Sequence, residues 1–154
     1  AGLTGKERVL DAYCGTGTIG MIASRDAKEV TGVELNRDAV RDAITNAKTN
    51  QVKNICFVCQ DATEYICKAA EKKENFDVVL MDPPRAGSTK EFVDAVISLE
   101  PDRVVYVSCN PETLARDLKW FCRAYRVETI RPYDMFPLTG HVETVVLLSH
   151  KKAI

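Results

Sequence analysis

Three residues stand in this sequence where chemistry explains them better than packing does. The stretch "VSCNPETLARDL", residues 107–118, puts Cys109 between an apolar run (Val104, Val105, Tyr106, Val107) and a helical pattern carried by Ala115, Leu118 and Trp120. Asn110 is a favoured helix N-cap and Pro111 a favoured first helical residue. The thiol therefore sits at a helix N-terminus, where positive partial charge favours a nucleophilic thiolate. "MDPPRAG", 81–87, offers Asp82 from a strand-end loop stiffened by two prolines. "GHVETVVLL", 140–148, offers Glu143 at the head of an apolar run, and partial desolvation makes a carboxylate a better base. The bland readings are a small buried cysteine, an Asp-Pro-Pro turn and a surface glutamate on an edge strand. Taken together, a thiolate and a base fit covalent catalysis. His141, two residues before Glu143, is expected to hold the loop rather than react.

A second constellation lies near the N-terminus. In "DAYCGTGTIG", 11–20, the glycines Gly15, Gly17 and Gly20 fit G-x-G-x-x-G, and Glu34 closes the next apolar run. Alone, this is the dinucleotide fingerprint and points to NAD. The same backbone serves S-adenosylmethionine, because glycines admit close approach and a strand-end carboxylate can take two ribose hydroxyls. Asp11 favours the methyl donor, since it suits a cationic amino group and would repel a pyrophosphate. Asp61, in "CQDATEY", stands where such folds present a carboxylate to the adenine amino group.

The elements that must position these residues alternate along the chain. Strands are predicted at 8–13, 29–34, 54–59, 76–82, 103–108, 125–133 and 142–149, with helices at 18–26, 36–50, 61–73, 89–99 and 111–122. Only "DMFPLTGH" joins the last two strands, so they are expected to pair antiparallel. The pattern implies an α/β fold: a seven-stranded, mostly parallel sheet with one antiparallel strand and helices on both faces, the Rossmann-like methyltransferase sheet. The ligand site is then expected at the carboxyl ends of the strands, near the switch point.

Composition agrees with one soluble domain over residues 1–154: 45% hydrophobic, 28% charged, 22 acidic against 21 basic residues. That balance gives no global footprint for nucleic acid, although a local patch or a module elsewhere can supply one. No membrane contact and a cytoplasmic, monomeric protein are expected. The chain begins "AGLTGKERVL" without Met or a signal-peptide pattern and reads as an excised domain. Of the six cysteines, 56, 59, 67 and 122 read as buried structural residues, not as disulfides. Cys56 and Cys59 lie within a strand, where spacing three sends them to opposite faces, and no second pair completes a metal site.

Cys109 gains a reason in a methyltransferase through uracil, whose C5 attacks a sulfonium methyl group poorly until a thiolate adds at C6. Arg85 after Asp-Pro-Pro disfavours methylation of base amino groups, where an aromatic is needed to stack the base. The blocks "LDAYCGTGTIG", "DPPRAG", "VSCNPETLARDL" and "DMFPLTGHVETVVLL" resemble the C-terminal catalytic domain of the RNA uracil-C5 methyltransferases. That resemblance implies S-adenosylmethionine as cofactor and 5-methyluridine in tRNA or ribosomal RNA as product. It also implies Cys109 as nucleophile, Glu143 as base and Asp82 between cofactor and target base. Tyr13, Thr18, Glu34 and Asp61 match cofactor-contacting positions, with Asp11, Gly15 and Gly17 in the same loop. Thr18 stands where some relatives have Asn. The family's full chain carries an upstream oligonucleotide-binding-type domain and a central segment with a cofactor-contacting glutamine and, in some members, iron–sulfur ligands. RNA is therefore expected to be held mostly by domains outside these residues. Three alternatives stand beside this reading. A cytosine-C5 methyltransferase is disfavoured because Arg85 stands where that family has cysteine. An NAD oxidoreductase has no use for the second constellation. A non-catalytic S-adenosylmethionine-binding domain need not keep a nucleophile and base.

Overall fold

The computed structural model describes residues 1–135 and 137–152. Phe136, within the DMFPLTGH connection, lies outside the described residues. The chain runs β1 (Arg8–Ala12), α1 (Thr18–Ala23), β2 (Glu29–Glu34), α2 (Arg37–Thr49), β3 (Ile55–Cys59), α3 (Ala62–Glu71) and β4 (Val78–Met81). It continues α4 (Lys90–Leu99), β5 (Arg103–Ser108), α5 (Pro111–Phe121), β6 (Tyr125–Tyr133) and β7 (Glu143–His150). The strands form one seven-stranded sheet in the order β3-β2-β1-β4-β5-β7-β6. From β3 to β5 all pairings are parallel. β7 is antiparallel to both of its neighbours, β5 and β6. This is the six-plus-one α/β sheet that the sequence implies, with its order reversing between β1 and β4.

Alternation along the strands sends side chains to two apolar layers. On one face Val79, Met81, Val104, Tyr106, Val146 and Leu148 meet Ile66 of α3, Phe92 of α4, and Leu114 and Phe121 of α5. On the other, Val9, Val30, Val78 and Leu80 meet Ile19 and Ala23 of α1, and α2 buries Val40, Ala43 and Ala47. Among the described residues no helix is long and apolar enough to cross a membrane.

The element ends carry the departures from expectation. β1 stops at Ala12 because Tyr13 takes a left-handed backbone (φ 61°), which no strand continues through. α1 stops at Ala23 because Arg25 and Asp26 turn their N–H groups back to the carbonyls of Ile22 and Ala23, three residues earlier. All six cysteines are free thiols, but the expected burial is corrected: Cys56, Cys59 and Cys122 are exposed and Cys67 is half-buried. β3 is an edge strand, and Cys122 forms the C-cap of α5, so apolar neighbours in sequence do not cover these positions.

Candidate active site

The β1–α1 loop is shaped around two carboxylates. Gly15 (φ 53°) and Gly17 (φ 82°) take left-handed conformations, and a Cβ on Gly17 would stand 2.8 Å from the Phe57 ring. Glu34, at the end of β2, accepts the Gly15 N–H (3.0 Å) on one oxygen and the Asn36 N–H (2.8 Å) on the other, which ties the loop to β2. Asp11 is 1% exposed and accepts the Gly20 N–H at 2.8 Å. A Cβ on residue 20 would sit 2.7 Å from that carboxylate oxygen, so the third glycine of the motif exists to admit Asp11. The other carboxylate oxygen, Oδ1, is buried with no hydrogen-bond partner among the described residues. Burial pushes Asp11 up to about 7, the Gly20 N–H opposing it and the charge of Asp82 adding to it.

Beside this loop opens a cleft of about 420 Å³, lined by Tyr13, Val33, Glu34, Leu35, Asp61, Ala62, Asp82 and Pro84. It lies at the carboxyl ends of β1, β2, β3 and β4, at the switch point. Of the residues read from the sequence as cofactor-binding, Tyr13, Glu34, Asp61 and Asp82 meet there. Gly15, Gly17 and Asp11 belong to the adjoining β1–α1 segment and do not line it. Thr18 is not brought in: it opens α1 and faces a separate hollow with Met21, Ile22, Arg25, Asn50 and Val52. Asp61 is also the N-cap of α3, its Oδ1 accepting the Glu64 N–H at 3.0 Å. Tyr13 packs its ring on Phe92 (5.4 Å between centroids) and brings its hydroxyl to 3.4 Å from Ser88 Oγ. Burial raises the pKa of that hydroxyl, so it stays protonated. Leu35 and Pro84 were not singled out in the sequence, yet they give the cleft its apolar walls. The sequence carried no separate signal for Leu35, which is 66% exposed immediately after the strand-end glutamate.

The second constellation is assembled by β7. Ser108 is the last residue of β5 and pairs with Thr144. Cys109 follows Ser108 in the chain and Glu143 precedes Thr144, so both stand just past the end of this pairing. β7 lies inside the sheet, not at its edge, so the bland edge-strand reading of Glu143 loses its basis. Asp82 follows β4, the neighbour of β5 on the other side, and its amide donates to Ala12 O at 3.4 Å. Burial, and after it the charge of Glu143, raise Asp82 above the usual carboxylate range. Cys109 is half-buried, and next to it Asn110 caps α5 by accepting the Glu112 N–H (3.0 Å) while its amide donates to Arg85 O (3.3 Å). Asp82 is thus shared between a cleft suited to a flat, hydroxyl-bearing ligand and an edge carrying a thiol and a second carboxylate. Among the described residues, no group of three or more His, Cys, Asp or Glu is placed to hold a metal ion.

Comparison with known proteins bears on what such an arrangement is for. The chain is 48% identical over 149 residues to an uncharacterized RNA methyltransferase of Clostridium acetobutylicum, covering 96% of this chain and 32% of that protein. It is 48% identical over 151 residues to an uncharacterized RNA methyltransferase of Staphylococcus aureus, covering 98% of this chain and 33% of that one. The chain therefore spans about a third of the length of the curated relatives it matches. In fold it is similar to the Pyrococcus abyssi tRNA (uracil-54, C5)-methyltransferase, whose crystal structure holds S-adenosyl-L-homocysteine. The TM-score is 0.80 at 37% identity, over 95% of this chain and 35% of that one. An rRNA methylase from Streptococcus thermophilus shares the fold alone, with a TM-score of 0.75 at 14% identity. The profile of one family runs through nearly all of these elements, from residue 3 to residue 151, and the chain belongs to that family, the tRNA (uracil-5-)-methyltransferases.

Proposed function

We propose that this chain is the catalytic part of an S-adenosylmethionine-dependent enzyme that methylates uracil C5 in RNA, making 5-methyluridine in tRNA or ribosomal RNA. The observation that carries the reading is the register of β5 and β7, which sets Cys109 and Glu143 one step beyond the Ser108–Thr144 pair, with Asp82 sensing the Glu143 charge. The cleft fits the cofactor by its donor set. Val33, Leu35, Ala62 and Pro84 offer apolar walls for adenine, Glu34 an acceptor for ribose hydroxyls and Asp61 one for the adenine amino group. The unpartnered Oδ1 of Asp11 lies behind the loop as an acceptor for a cationic amino group reached through an amide or water. When bound, S-adenosylmethionine supplies an electrophilic methyl group to C5.

The residues of this chain make C5 able to accept it. The Cys109 thiolate adds to C6, forming an S–C6 bond and moving the C5–C6 π electrons onto C5 as an enolate. Asp82, at the boundary of cleft and thiol, holds the ring where C5 faces the cofactor. Once C5 carries the methyl group, Glu143 accepts the C5 proton. The C–H electron pair re-forms the C5–C6 double bond, and the S–C6 bond breaks to release the thiolate.

The order of these steps gives the test. In the full-length protein, Cys109→Ala is expected to form no protein–RNA adduct. Glu143→Gln, which keeps the side chain's size but cannot take the proton, is expected to accumulate a denaturant-stable adduct whose uracil already carries the methyl group. Adduct formation by Cys109→Ala would remove the nucleophile assignment, and normal turnover by Glu143→Gln would move the base elsewhere.

A further inference from the structure

Asp117, in the "ARDL" end of the Cys109 block, has the sequence setting of a solvated helix residue, yet it is 0% exposed. Its Oδ2 accepts the Ser88 N–H (2.7 Å) and the Tyr106 hydroxyl (2.6 Å), and its Oδ1 accepts Arg116 Nε (2.8 Å). Arg116 in turn donates to the carbonyls of Ala86 (2.9 Å) and Ser88 (3.1 Å), and its guanidinium lies 5.1 Å from the Trp120 ring centre. At the other end of the helix, Asn110 and Thr113 donate to the Arg85 carbonyl at 3.3 and 3.2 Å. Gly87 completes the fit: at φ +77°, a Cβ there would come within 2.7 Å of both Asp117 Oδ2 and Arg116 Nη2. The segment 85–88 is thus fastened along the length of α5. That segment continues from Asp82, and α5 begins just after Cys109. Ser88 also reaches the cleft, through Tyr13.

We propose that Asp117 is a positioning residue, fixing the loop that carries Asp82 onto the helix that follows Cys109 and so setting the distance between the two. This rests on the roles proposed above for those residues. Stability alone gives little reason for a buried ionic cluster here, because apolar side chains in place of Asp117 and its partners together would fill such a site without losing hydration. A carboxylate does what an apolar group cannot, accepting from loop, strand and helix at once and fixing one relative placement. Burial and the Asp117 hydrogen bond both keep the Tyr106 hydroxyl protonated, so it acts as donor at any working pH.

Two substitutions in the full-length protein separate positioning from mere stability. Asp117→Asn keeps one acceptor oxygen and turns an NH2 either toward Arg116 or toward Ser88 and Tyr106, so in either orientation a donor faces a donor and the clasp on the loop is weakened. Tyr106→Phe removes a single bond to Asp117 and leaves the Ser88 tie. With cofactor and RNA saturating, at a temperature where each variant is folded, Asp117→Asn is expected to lower kcat by about tenfold or more, because misplacement of about 1 Å carries that cost. RNA KM is expected to stay within about twofold, and Tyr106→Phe to keep kcat within about threefold even where its Tm falls comparably. Arg116→Met, at a half-exposed site, replaces Asp117→Asn should the latter not fold, and is expected to lower kcat in the same way. Equal kcat in wild type and Asp117→Asn, or falls in kcat that track Tm across the variants, overturn the proposal. A wild type that methylates no uridine overturns the functional reading instead.

Discussion

Asp11 is the side chain in this site whose protonation is most altered by folding. Its ordinary value is 3.8 and burial carries it to about 7. Between those values the folded protein keeps a proton that the unfolded chain has released. Stability contributed by this group is therefore whole below about pH 4 and is lost as pH rises toward 7. Glu7 works in the opposite sense, held down to about 2 chiefly by the Thr4 N–H, so its contribution is lost only as the solution becomes acidic below 4.5. The window from about pH 5 to pH 7 belongs mainly to Asp11, with Asp82 contributing in the same direction. Urea midpoints are expected to fall across it by the equivalent of roughly 2–3 kcal/mol, at about 1.4 kcal/mol per pH unit. Asp11→Asn, which still accepts from Gly20, is expected to flatten most of that slope; an unchanged slope shows that another group carries it. At this scale the sequence was informative where a thiol or a carboxylate interrupts an apolar run, as at Cys109 and Glu143, which stand at the adjoining ends of β5 and β7. It was silent where activity and structure look alike. Leu35 reads as loop, and Asp117 as a solvated helix face, because two of its three donors, the Ser88 N–H and the Tyr106 hydroxyl, come from other elements of the chain.

The elements place these residues through their ends. Four helices open on a side-chain cap: Asn36 for α2, Asp61 for α3, Thr89 for α4 and Asn110 for α5. Asn36 and Asn110 follow shortly after Glu34 and Cys109, and Asp61 is itself a cleft residue. Local helix signals and site geometry are thus the same residues, which is why the strands and helices were legible to within a few positions. Asn110 does two jobs, accepting the Glu112 N–H and donating to Arg85 O. Asn110→Ala is expected to cost about 1–2 kcal/mol of stability through the lost cap, read as a lower urea midpoint with an unchanged m-value. Asn110→Asp retains the acceptor and loses only the donor, so it is expected to recover most of that cost. Failure of Asn110→Asp to recover it would assign the loss to something other than capping. What local signals did not carry is the place of β7. The short connection from β6 fixes an antiparallel pair, but insertion beside β5 is a pairing of residues about 36 apart, Ser108 with Thr144, written only in the tertiary fold.

At the scale of the whole molecule, the proposed function separates catalysis from recognition. The cleft and the pair proposed as nucleophile and base lie within these 154 residues, while the charge of the chain, 22 acidic against 21 basic, gives it no long-range attraction for a polyanion. Phosphate neutralisation by Lys and Arg supplies most of the sequence-independent affinity for nucleic acid and all of its steep salt dependence. The relatives are about three times longer than this chain, and we infer that RNA affinity lies largely in the portion that these residues do not include. Residues 1–154 alone are then expected to bind the cofactor product S-adenosylhomocysteine but to hold RNA weakly at physiological salt. The slope of log affinity against log salt should be shallow, corresponding to few neutralised phosphates. The longer protein should gain both affinity and slope, and with them methylation of uridine. Filter binding of the two proteins to the same transcript, at about 50 and 200 mM salt, reads both quantities. If residues 1–154 alone match the longer protein in affinity, slope and methylation rate, recognition is built into this domain. Arg85 and the exposed residues 137–141, which lead into Glu143, would then be the surface to map.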